Sequence, residues 1–141
     1  MEKIFDIFIR ATPEEVWEAV TERQGEFNFR VPEELQGGFA SGATVEREAP
    51  RRLAQTMKAT WSPEVEQEPE SRITWEIAPW ERDVTHLRIT HGELREGAND
   101  QLYGGWPMIL SSLKSLLETG ESLNLEIPAE ALERMRAGAA S

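Results

Sequence analysis

Apolar and polar positions alternate from Lys3 to Arg10. Phe5, Ile7 and Ile9 fall on one side and Ile4, Asp6 and Phe8 on the other, which predicts a strand partly covered on both faces. Thr12-Pro13-Glu14-Glu15 then reads as a helix start: a hydroxyl for an orphan amide, proline at the first helical position and glutamate at the capping-box position. Val16, Trp17 and Val20 give that short helix one apolar side. Phe27, Phe29 and Val31 alternate like a strand, and Pro32, Gly37, Gly38 and Gly42 predict a turn-rich connection after them. A polar strand is expected over Ala43–Ala49. A clearer one follows at Leu53–Trp61, with Leu53, Gln55, Met57, Ala59 and Trp61 on its inner face.

Between Glu64 and Glu70 nearly every second residue is acidic, which predicts a solvated hairpin loop. Two more strands are expected, Arg72–Ala78 with Ile73, Trp75 and Ile77 inward, and Val84–His91 with Thr85, Leu87, Ile89 and His91 inward. Past a loop at Gly92–Asp100 the period becomes helical. Trp106, Ile109, Leu110, Leu113, Leu116 and Leu117 define the longest helix, with Gly120 as its C-cap. Glu121–Ile127 reads as a connector, Pro128–Arg136 as a short helix with Leu132 and Met135 on one side, and Gly138–Ser141 as a fraying end. The order strand, short helix, antiparallel strands, long apolar helix belongs to the α+β class. A twisted sheet touches such a helix along only part of its length, which leaves room for an apolar cavity.

At 141 residues the chain fits one core. The expected division is a main domain over residues 1–123 and a C-terminal extension over 124–141. Fifteen cationic and 26 acidic side chains give a net charge of −11, which repels nucleic acid and anionic lipid surfaces. The absence of cysteine excludes disulfides and thiolate chemistry and suits a reducing interior. The apolar N-terminus is broken by Asp6 and Arg10, and no apolar run approaches a membrane span, so a cytoplasmic protein is expected.

Of the two histidines, His91 points inward at a strand end, where it serves either as a hydrogen-bonded core residue or as a group that meets a ligand; His86 shares its face with Arg88. Two histidines on opposite strand faces, without cysteine, make no zinc set, and Glu64–Glu70 lacks the glycine and alternating Asp/Asn of a calcium loop. No metal or cofactor is expected. Trp75 and Trp106 are the tryptophans best placed to wall a cavity, beside the close-approach pair Gly104-Gly105. Tyr103 could supply a phenolic proton, and Ser111, Ser112 and Ser115 either line a partly polar pocket or back-bond to their own helix.

The stretches Thr12–Ala19, Pro50–Leu53, Ser71–Ile77, Leu87–His91 and Gly104–Gly120 together resemble the bacterial homologues of the heat-shock-protein-90 ATPase activator, within the START-like (SRPBCC) superfamily. The resemblance implies the helix-grip fold, a curved antiparallel sheet wrapped around a long C-terminal helix. Two departures are visible: the region from Thr21 to Gly42 is short, and the chain continues well past Gly120.

The leading expectation is a non-catalytic protein that binds a small hydrophobic molecule between sheet and helix, lined by Met57, Trp61, Ile73, Trp75, Leu87, Ile89, His91, Trp106 and Leu110. One alternative is a cyclase- or dehydratase-like enzyme with His91 as base and Tyr103 as proton donor. The other is a stress or regulatory interaction module, in which Leu132 and Met135 of the extension dock on a protein partner or a second copy.

Overall fold

In the computed structural model, which describes residues 1–138, β1 (Lys3–Arg10) leads into α1 (Pro13–Glu22) and a single-turn helix α2 (Gln24–Phe27). A 3-10 segment (Glu33–Gly38) precedes the short strands β2 (Ala40–Ser41) and β3 (Thr44–Glu48). Next come β4 (Arg52–Ala59), the one-turn helix α3 (Pro63–Glu66), β5 (Ser71–Pro79) and β6 (Val84–Gly92). The long helix α4 (Trp106–Thr119) and a last helix α5 (Ala129–Ala137) complete the chain. Residues 139–141, within the end expected to fray, lie outside the described residues.

The named strands pair antiparallel, in the order β1-β6-β5-β4, and the outer edge of β4 is shared by β2 and β3. The register forms two faces. Inward, the row Lys3–His91–Ile73–Gln55 runs beside the row Phe5–Ile89–Trp75–Leu53. Outward, Asp6, Arg88, Glu76, Arg52 and Glu48 form one row whose sign alternates at every strand. Opposite charges on directly facing positions stabilise such a row, although each exposed pair contributes little.

α1 and α4 cover the inner face. Thr12 caps α1 through a complete capping box with Glu15, which buries Val16, Ala19 and Val20 in the core. α4 starts with proline in its first turn, packs along β1 and stops at Gly120, whose φ of 87° is left-handed. α4 also seals the edge of β1: Lys114 Nζ donates to Phe8 O at 2.6 Å, and Arg10 N–H donates to Glu118 Oε2 at 2.8 Å. Those contacts occupy backbone groups that could otherwise recruit another strand.

Several expectations need correction. Phe27, Phe29 and Val31 form no strand, because Gln24–Phe27 closes a helical turn that buries Phe27. The second face of β1 is not covered; Ile4 and Phe8 stay 49% and 42% exposed. The acidic run Glu64–Glu70 is not a solvated loop. Ser62 caps a helical turn that starts at Pro63, and Glu68 is 3% exposed, paired with Arg95 in the loop after β6. That hydrogen bond holds the Glu68 carboxyl below its ordinary pKa. Around this pair, Ala59, Val65, Leu94, Ala98 and Leu102 form a second small core at one end of the sheet. Leu132, expected to be free for a partner, is 1% exposed, and Leu125 belongs to the main core, so the extension folds back on its own domain.

Gly42 joins β2 to β3, where a Cβ would stand 1.9 Å from the Thr56 carbonyl oxygen on β4. Gly42→Ala is therefore expected to push this segment off β4, at a cost of about 1–3 kcal/mol. A denaturation midpoint together with faster exchange of the Thr56 amide, now bonded to Ala43 O at 2.9 Å, checks the outcome.

Candidate functional site

The inner face is where the sequence placed chemistry, and two indole N–H groups organise it. Trp75, mid-strand on β5, donates to Gln55 Oε1 at 2.9 Å across the β4–β5 pair. Trp106, at the first turn of α4, donates to His91 Nδ1 at 3.1 Å. The two rings meet edge to face with centroids 5.5 Å apart, and Phe27 closes on Trp75 from the other side at 6.3 Å.

His91 is completely buried, with both ring nitrogens engaged. An indole nitrogen can only donate, so Nδ1 must be bare and the neutral ring carries its proton on Nε2. Nε2–H then points at Ser71 Oγ, 2.8 Å away, and the serine hydroxyl is left to donate to Met57 O at 3.5 Å. Burial pushes the His91 pKa down to about 4.

Of the other residues expected around a cavity, Ile73, Leu87, Ile89 and Leu110 are buried in the same core, while Met57 is half-buried at its edge. Trp61 lies apart, tilted against Phe39 at 5.1 Å and donating to Gln101 Oε1. The space expected between Trp75, His91 and Trp106 is filled by those side chains. Shallow depressions also mark the surface, one of about 430 Å³ beside Phe8, Arg10, Val84, Lys114, Glu118 and Thr119, and one of about 260 Å³ on the outer sheet face near Arg52 and Arg72. Tyr103 sits half-buried under the Lys3 ammonium, 5.0 Å from its ring centre. Ser111 back-bonds to Pro107 O as expected, whereas Ser112 and Ser115 bond to the connector after α4.

Gln55 and Ser71 were not singled out as partners from sequence. A buried indole needs an acceptor and a buried imidazole needs two partners, so their existence was implied. Only strand register identifies which residues they are.

The outer face presents a different surface. Phe8 and Trp80 meet edge to face at 5.0 Å, with Trp80 59% exposed, and His86 stacks on Phe8. His86 is half-buried, its Nε2 2.7 Å from Asp6 Oδ1, which also accepts from Arg88. The Arg88 hydrogen bond is the main cause of the lowered pKa of Asp6.

A family model described as activator of Hsp90 ATPase homolog 1-like protein matches residues 22–118. The chain belongs to this family. Three solved structures agree on the fold of this activator-like chain. CalU16 from Micromonospora echinospora superposes with a TM-score of 0.67 at 23% identity, covering 95% of this chain and 83% of its own. The Aha1 dimer from Colwellia psychrerythraea gives 0.66 at 19% identity, covering 86% and 99%. An HSP90 activator from Plasmodium falciparum gives 0.64 at 17%, covering 83% and 96%. The curated proteins contain no match. Among the described residues, no helix is long and apolar enough to cross a membrane.

Proposed function

We propose that this activator-like chain is a non-catalytic binding module that recognises a protein through the outer face of its sheet, at the Phe8–Trp80 corner. The observation that carries this reading is a pair of large aromatic rings left in water, while the inner face is closed around His91. An exposed tryptophan packed on a second aromatic ring suits an interface hot spot, where tryptophan is enriched. The partner that fits offers an apolar recess for Trp80 and charges that complement the alternating row beginning with Asp6 and Arg88. A second copy carries such a row itself. The relatives described as an HSP90 activator and as a dimer support contact with protein at the level of the fold.

A photo-crosslinker at position 80, compared with one at exposed Leu123, tests this reading in cell extract. Capture of one defined protein from position 80 only, with affinity about 30-fold weaker for purified Trp80→Ala, is the expected result. Stability of that variant should stay within about 0.5 kcal/mol of the native chain. Equal capture from both positions, or unchanged affinity, refutes the reading. Light scattering across a concentration series identifies the case in which the captured protein is a second copy.

A second reading is binding of a small hydrophobic molecule at the inner face. Its specific support is that Trp75 and Trp106 give their N–H groups to side chains, Gln55 and His91, and not to backbone. Those acceptors can turn away, so an acceptor atom on an apolar ligand could take their place.

A further inference from the structure

The inner face is bounded by two lips. One is α4. The other is the segment after α1, in which Phe27 packs on Trp75 and Phe29 lies so close to Gly105 that a Cβ there would stand 2.8 Å from its ring. Any molecule reaching Trp75, Trp106 or His91 between these elements must part them.

The connector after Gly120 ties the lips together. On the α4 side, the buried Ser112 hydroxyl donates to Leu123 O and accepts from Leu123 N–H, both at 3.2 Å, while Ser115 donates to Glu121 O at 2.6 Å. On the other side the connector runs parallel to Arg30, with Arg30 N–H donating to Leu125 O at 3.3 Å and Ile127 N–H donating to Arg30 O at 2.7 Å. The Arg30 guanidinium reinforces this through Asn124 at 3.5 Å and Glu126 at 3.9 Å. Leu125, held between these two sets of bonds, is 5% exposed and belongs to the same core as Trp75 and Trp106.

We infer that residues 121–127 are a latch that keeps the inner face shut, and that their release opens it to an apolar molecule bearing a hydrogen-bond acceptor. The ligand half of this inference rests on the inner-face reading above; the latch half does not. Ser112 is the point of control. Its one hydroxyl makes both bonds to Leu123, and serine to alanine costs a helix nothing in propensity. Losing them is worth about a tenfold change in a local opening equilibrium.

The test uses the full chain with 6-propionyl-2-(dimethylamino)naphthalene, an apolar fluorescent probe whose ketone oxygen accepts a hydrogen bond. Opening is read directly as hydrogen exchange of the Trp106 indole N–H, with the Leu87 amide, deep in β6, as the reporter of global unfolding. Ser112→Ala should speed Trp106 exchange about tenfold relative to Leu87 and tighten probe binding. Because the chain has no cysteine, Arg30→Cys with Glu126→Cys provides a clean lock at a paired position. Oxidation should slow Trp106 exchange and abolish probe binding, and reduction should restore both. Unchanged indole exchange in both the released and the oxidised protein overturns the latch. If exchange responds in both directions but the probe never binds, the latch stands and the inner-face ligand reading fails.

Discussion

Replacing Trp106 with alanine is expected to lower the unfolding free energy by about 3–5 kcal/mol. The ring is 4% exposed and touches both Trp75 and His91, so its loss leaves a void among side chains that cannot collapse without dragging α4 from the sheet. It also strips the Nδ1 of the completely buried His91 ring of its donor. Against a typical domain stability of about 5–15 kcal/mol, this approaches unfolding. Trp106→Phe separates the contributions, because it keeps most of the volume and removes the N–H. Urea denaturation should place the phenylalanine variant well above the alanine one. Equal midpoints would mean that the hydrogen bond, and not the packing, holds this end of α4.

The second large effect is a pH dependence. Burial holds His91 to about 4 against an ordinary 6.5, so between those values the unfolded chain binds a proton that the folded chain refuses. The resulting stabilisation is complete above about pH 6.5 and drains away as pH falls toward 4. At about 1.36 kcal/mol per pKa unit, the total is about 3 kcal/mol. Protonation also places a new N–H against the indole N–H of Trp106. Measured at pH 7, 5.5 and 4.5, unfolding free energy should decline through this window. His91→Gln, which can accept from Trp106 and donate to Ser71, should flatten it. A later decline in more acid solution belongs to Asp6, Glu68 and Glu118, whose carboxyls are held low by Arg88, by Arg95, and by the Arg10 amide with Lys114. A native chain with a flat profile from pH 7 to 4.5 would show that protonated His91 finds an acceptor or water inside.

The fold was legible wherever one face of an element meets one environment. β5 and β6 are covered on one side only, so Ile73, Trp75, Leu87, Ile89 and His91 all face inward as their alternation requires. The stripe from Trp106 to Leu116 works for the same reason, and Thr12 and Gly120 mark helix ends because their caps are local. Legibility failed where the deciding partner is distant. Nothing near Glu68 announces that Arg95, 27 residues on, will pair with it, and charge counting along Glu64–Glu70 therefore misleads. The alternation of Phe27, Phe29 and Val31 is real but accidental, since Phe27 packs on Trp75 from a helical turn while Phe29 lies against Gly105. How the interior packs was less legible. The sequence identified the side chains around Trp75 and Trp106, but hollow or filled depends on ring orientation and on the return of Leu125, neither of which has a periodic signature.

The alternating row from Asp6 to Glu48 nearly cancels its own charge, whereas α1 exposes Glu14, Glu15, Glu18 and Glu22 without a single cation. Between these two surfaces the charge is therefore uneven, the exposed side of α1 being the more negative. On an anion-exchange bead or a cationic sensor chip, α1 should be held in preference to the alternating row, so that mode of immobilisation favours one orientation of the molecule without a tag.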